Sequence, residues 1–434
     1  MKKYILTIII LVAGITVVTA QSETTSFDVD GIKVIFKPTL KNIISARLYF
    51  RAGVSNYTSS QAGIESFAIE ATTQCGTKKY PGSEFQDVAD KYSILVDGSS
   101  EQDYGYTQLN CASKFFNQAW DLFAEAVMNP TFDESEVQLL RNKLISRIRS
   151  GQSSPDNRID QLAMKNAFGG TAYATDPDGS EGTLAALNPA DLKNYYNSIL
   201  NKNQVFLVVV GKIDKEELIK KVKAAFAAMP VRPFTPVTYN QPVFNDNKLL
   251  VEKRTLATNY IKAIMNAPQF TSEDFVPFRI GMSAFSGVLF RELRTKLHLS
   301  YDPGAGVAMM QMPYAEMSVS TTDPRQAVQE MTLLLRKIKG ITLTASGLKE
   351  MKNGYITSNY IKQQSSAAIA ANLGKAEILG GWKYEDDFPA KLESVTPEQI
   401  SKAFNKYIVG LRWSYLGNAA PAEQANDAFK QPLN

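Results

Sequence analysis

The chain repeats itself. Asn188-Pro189-Ala190-Asp191-Leu192, with Tyr196 a helical turn later, is answered by Thr396-Pro397-Glu398-Gln399-Ile400 with Phe404. Val137, Leu140, Asn142 and Ile145 are answered by Leu348, Met351, Asn353 and Ile356. Gln152-Ser153-Ser154 has its echo in Gln364-Ser365-Ser366, and Phe168-Gly169-Gly170 in Leu379-Gly380-Gly381. These matches keep their order and lie about 210 residues apart, which marks duplication of a whole supersecondary unit. A chain of 434 residues built this way folds as two similar units rather than one.

Within each unit, short β-rich runs alternate with long amphipathic stretches. The pattern predicts strands over 31–36 and 44–50, a helix from Gly63, and strands within 92–113. Helices follow near 115–129, 133–150, 156–168 and 189–200, then a fully buried strand over Val205–Val210 stopped by Gly211, and a helix over 214–228. Pro230, Pro233, Pro236 and Pro242 mark 230–246 as a linker. The second unit reads as strands over 247–266, a helix over 273–296, strands over 304–322 and helices to about 408, with Gly304-Ala305-Gly306 as a turn. The expected class is α+β: two homologous α/β domains, 21–229 and 247–434, each a mostly antiparallel sheet with packed helices.

Residues 1–20 read as an export signal. Lys2 and Lys3 precede an apolar run from Tyr4 to Val18, and Val18-Thr19-Ala20 ends in a small residue, which places cleavage after Ala20. The alternative is a retained membrane anchor, since the run is only slightly short of a bilayer span. Beyond it the sequence offers no membrane span, and the formal charge of +4 is spread without a dense basic block, so nucleic acid is not an expected partner. Cys75 and Cys111 are the only cysteines; they read either as a pair in an oxidising compartment or as two buried thiols.

Three stretches in this order resemble the pitrilysin/insulinase (M16) metallopeptidases. They are Gly63-Ile64-Glu65-Ser66-Phe67-Ala68-Ile69-Glu70 running on to Gly76-Thr77, the Pro-initiated helix and apolar strand from Leu187 to Gly211, and Leu293-Arg294-Thr295-Lys296-Leu297-His298-Leu299-Ser300-Tyr301. The resemblance implies two M16-like domains arranged as a clam shell. It also implies a zinc site made of an inverted His-x-x-Glu-His helix and a downstream Glu, with the motif's own Glu as general base.

That zinc set is absent here. The whole chain has one histidine, His298, and it lies in the second half. Ser66 stands where the first His belongs, Ile69 where the base belongs and Glu70 where the second His belongs, while Leu144-Ile145-Ser146-Arg147 fills the region of the downstream Glu. No alternative catalytic set emerges: a Ser or Cys nucleophile would need the same lone His, and no Gly-x-Ser-x-Gly elbow exists. Glu65 and Glu70 are five residues apart on the helix and read as its solvated face. No metal and no catalytic residue are assigned to this chain.

The second-half motif is kept. By resemblance, Arg294 and Tyr301 hold the substrate backbone near the scissile carbonyl, with His298 where the family has Gly. A chain with this pair and without the zinc motif is similar to the non-catalytic subunit of a hetero-oligomer. The zinc and the His-x-x-Glu-His motif would then belong to a homologous partner chain, the substrate would be an unfolded peptide, and the location would be the periplasm. The alternatives are a stand-alone peptide-binding or scaffold protein of the same fold, and an active peptidase with an unrecognised metal site.

Overall fold

The computed structural model describes residues 23–340 and 344–433. The export-signal reading of residues 1–20 lies outside them.

The first half is a six-stranded sheet in the order β1-β2-β6-β3-β5-β4, and the second a five-stranded sheet in the order β7-β11-β8-β10-β9. The strands are β1 (Thr25–Val29), β2 (Ile32–Pro38), β3 (Ile43–Phe50), β4 (Leu95–Ser100), β5 (Gly105–Ala112), β6 (Val205–Gly211), β7 (Lys248–Lys253), β8 (Asn259–Asn266), β9 (Gly304–Ala308), β10 (Tyr314–Thr321) and β11 (Arg412–Gly417). Apart from the added edge strand β1, the two orders are the same. Each sheet also has one parallel neighbour pair, β2 with β6 and β7 with β11, and is otherwise antiparallel. The duplication read from the sequence is thus a duplication of topology.

The best-matched repeat has a physical cause. In helix Pro189–Ile199 the Asn188 Oδ1 accepts the backbone N–H groups of Ala190 and Asp191 at 2.9 and 3.1 Å, and Asp191 accepts the Asn188 N–H at 2.9 Å. In helix Pro397–Tyr407 the Thr396 hydroxyl accepts the Gln399 N–H at 3.3 Å, and the Gln399 carbonyl oxygen accepts the Thr396 N–H at 2.9 Å. Both are reciprocal caps with proline in the first turn, where its missing N–H costs nothing. Leu192 and Tyr196, like Ile400 and Phe404, are then buried on the inner face.

Helices cover both faces of the sheets, so β6 is apolar throughout: Val205, Leu207 and Val209 join the first-half core, while Phe206, Val208 and Val210 join the core shared with the second half. That sharing follows from an exchange of helices. Helix Pro155–Phe168 of the first half packs on β8 and β11 of the second, and helix Ser366–Leu379 packs on β3 and β6 of the first. The latter fits closely because Gly374 lies against the Tyr49 ring, where an added Cβ would come within 2.1 Å of a ring carbon.

The structure corrects two details. Gly304-Ala305-Gly306 is not a turn but the start of β9, paired with β10. The helix expected over 273–296 is α-helical over Phe275–Leu289 and widens into a π-turn over Phe290–Lys296. Segment 231–246 has neither helix nor strand, yet it is tied down: Phe244 is buried and its N–H donates to Asn266 Oδ1 at 2.8 Å. Among the described residues, no helix is long and apolar enough to cross a membrane.

Candidate functional site

Helix Ile64–Gln74 begins at Gly63, whose φ of 89° is left-handed and whose surroundings leave no room for a Cβ. The helix is buried on nearly every face, against β4 on one side and helices Pro189–Ile199 and Glu134–Ser153 on others. Ile69 points into the sheet, over Gly98 of β4 and Gly105 of β5, where only glycine leaves space for its side chain.

The solvated-face reading of Glu65 and Glu70 is overturned. Glu65 is fully buried. Its carboxylate accepts the Gly53 N–H at 3.0 and 2.9 Å, the Ser100 hydroxyl at 2.8 Å and the Tyr195 hydroxyl. These donors replace the water it gives up, although burial still pushes its pKa up. Glu70 is also largely buried, and its carboxylate pairs with the guanidinium of Arg147 on helix Glu134–Ser153. Burial raises the Glu70 pKa, while Arg147 pulls in the opposite direction.

Ser66 and Glu70, one turn apart, therefore face the same neighbouring helix. Ser66 donates to Asp178 Oδ1 at 3.2 Å. Between Ser66, Leu144, Arg147, Ile148, Asp178 and Leu184 only about 10 Å³ of cavity remains, enough for a single water at most.

At the second-half motif, Arg294 lies in the π-turn with its guanidinium carbon 4.8 Å from the Phe290 ring centre and 4.3 Å from that of Tyr301. The guanidinium lies over both rings, and it makes no hydrogen bond or ion pair among the described residues. Tyr301 is 77% exposed, in the loop before β9. His298 carries φ of +52°, a left-handed turn, and the Leu299 N–H closes that turn onto the Leu293 carbonyl at 2.7 Å. Phe290, under the guanidinium, and Leu297, one residue past the π-turn, are both partly exposed.

Two family models match this chain: one described as insulinase (peptidase family M16) over residues 33–176, the other as the peptidase M16 inactive domain over residues 186–355. The chain belongs to the M16 peptidase family. It has the short two-domain form of that family. Its relatives include an uncharacterized zinc protease, YmxG, of Bacillus subtilis, 21% identical over 385 residues, 86% of this chain and 92% of the relative. Another, from Helicobacter pylori, bears the name non-peptidase homolog YmxG and is 19% identical over 256 residues, 58% of this chain and 57% of the relative. A crystal structure of a peptidase M16 inactive domain from Pseudomonas fluorescens superposes with a TM-score of 0.83 at 19% identity, covering 91% of this chain and 98% of that one.

For an M16 chain the implied metal is zinc, and the residues present do not fit it. Ser66 offers a hydroxyl already engaged with Asp178, Ile69 offers no donor, and Glu70 is neutralised by Arg147. Among the described residues no three His, Cys, Asp or Glu side chains converge in a way that could hold a metal ion. Cys75 and Cys111 are free and buried, and burial pushes both thiols up to about 12, far from the reactive thiolate range.

Sequence reasoning named Ser66, Ile69, Glu70, Arg294 and Tyr301, and the structure brings the last two into contact. It missed the pairing of Arg147 with Glu70, the role of Asp178, and the donors around Glu65. Arg147 carried a signal, a cation in the stretch assigned to the third ligand; Asp178 and Tyr195 carried none.

Proposed function

We propose that this protein is an exported, periplasmic, non-catalytic M16 subunit that completes the peptide site of a zinc-bearing homologue. The observation that carries the reading is the contrast between the two motifs. The zinc helix is closed by the Glu70–Arg147 ion pair, whereas the Arg294 guanidinium lies over the Phe290 and Tyr301 rings and makes no hydrogen bond or ion pair among the described residues.

On this reading Arg294 donates its N–H fork to a backbone carbonyl or carboxylate of an extended peptide. Contact with the Phe290 and Tyr301 rings fixes the fork before the peptide arrives, which lowers the ordering cost of binding. The Tyr301 hydroxyl supplies a further donor beside it. The zinc, and every step performed on it, belong to the partner chain. The name of the H. pylori relative accords with a chain that does no hydrolysis alone.

The test is reconstitution of the full chain with an exported homologue carrying His-x-x-Glu-His, followed by peptide turnover. Arg294→Ala and Tyr301→Phe should each lower turnover by the complex without weakening assembly. Unchanged turnover in both variants overturns the substrate role. Failure of any such homologue to bind favours the scaffold reading.

A further inference from the structure

We propose that Arg147 is a built-in replacement for the metal: its guanidinium stands as the fixed cation between helices Ile64–Gln74 and Glu134–Ser153, so this helix pair is a latent metal site closed by a side chain. The inference concerns the isolated chain and holds whether or not a partner exists.

The placement argues for it. Glu70 projects from the first helix toward the second, one turn from Ser66 and on the same side. Its side chain is only 13% exposed, so an ionised carboxylate there needs a counter-charge, and Arg147 supplies it. Arg147 pairs with Glu70 and also lines the small cavity beside Ser66, so one side chain borders both positions that would hold the metal.

Around Glu70 the other charged groups are Lys143, on the same helix as Arg147, and Asp178 beyond Ser66. Lys143 reaches only the Gln74 side chain, at 3.4 Å. Arg147 is thus the cation in contact. Its planar guanidinium fork suits paired recognition of a carboxylate at this position. What bars a divalent ion is therefore occupancy by a cation together with the loss of donors.

The test uses two full-length variants and zinc alone. The Ser66→His/Glu70→His/Arg147→Glu chain should bind one zinc, seen by equilibrium dialysis and as a chelator-reversible rise in melting temperature. Ser66→His/Glu70→His with Arg147 retained should bind zinc at least about tenfold more weakly. Equal binding by the two, or a folded triple variant that takes up no zinc, overturns the proposal.

Should the triple variant not fold, the Glu70→Gln and Arg147→Gln double-mutant cycle decides. A coupling of at least about fivefold in the unfolding constant supports the proposal, and no coupling overturns it.

Discussion

Asn166 and Glu377 occupy matching places in the two repeats, and each anchors its helix to the sheet of the opposite half. Asn166 Nδ2 donates to the Trp413 carbonyl of β11 at 2.7 Å. Glu377 accepts from Lys33 of β2 at 2.7 Å and from Arg51, just past β3, at 2.8 Å. Each half's core thus depends on a helix from the other.

Because Glu377 is nearly buried, removing its carboxylate leaves Arg51 with no anion. Glu377→Ala should destabilise the chain by on the order of 2 kcal/mol, and Asn166→Ala by about 1 kcal/mol, in urea unfolding followed by circular dichroism. Both should shift a single transition, since the halves share a core. Two separated transitions in the native chain would show that the exchange does not couple the halves.

Glu65 gives a pH signature. Burial raises its folded-state pKa above the unfolded value, so its contribution is fully present below the ordinary glutamate pKa of about 4.3 and is lost as pH rises through the raised value. Glu65→Gln keeps an acceptor for the Gly53 N–H and cannot ionise. Its stability relative to the native chain should therefore increase as pH is raised from about 4 toward neutrality. A difference that is flat with pH would show that Glu65 titrates normally.

The His298 turn carries a local strain that glycine would relieve. A non-glycine residue in the left-handed region costs about 1 kcal/mol, part of which returns as extra unfolded-state entropy when glycine is installed. His298→Gly should stabilise the chain by about 0.5 kcal/mol by denaturant midpoint. A loss of stability would mean that the imidazole makes a compensating contact.

Tyr301 is largely exposed, so Tyr301→Ala should change stability by less than about 0.5 kcal/mol. Thermal unfolding checks this directly. A large loss would make any effect on peptide turnover a folding effect rather than a binding one.

The sequence disclosed what is local. Pro189 and Pro397 announce helix starts, and the run Val205–Val210 announces a strand covered on both faces. The closing strand of the second half was harder to see, because Arg412 and Ser414 alternate with Trp413 and Tyr415; both polar residues are nevertheless buried. The polar pair is satisfied by distant groups, Asp246 for Arg412 and Asn166 for Ser414.

The same reason hid the site. An acidic residue on a helix looks solvated until its donors are known, and those of Glu65 come from Gly53, Ser100 and Tyr195, three separate segments. Periodicity identifies which face of a helix is apolar, but not which sheet will receive it. The exchange of helices Pro155–Phe168 and Ser366–Leu379 was therefore illegible, although their repeat relationship was plain.

On the proposed reading, this M16 chain builds no hydrolytic metal centre of its own. Metal content and peptide hydrolysis, measured together on the purified full chain, test it most directly. The account predicts zinc far below one ion per chain and no turnover above background. One tightly bound zinc per chain, with turnover that a chelator abolishes and zinc restores, would contradict it.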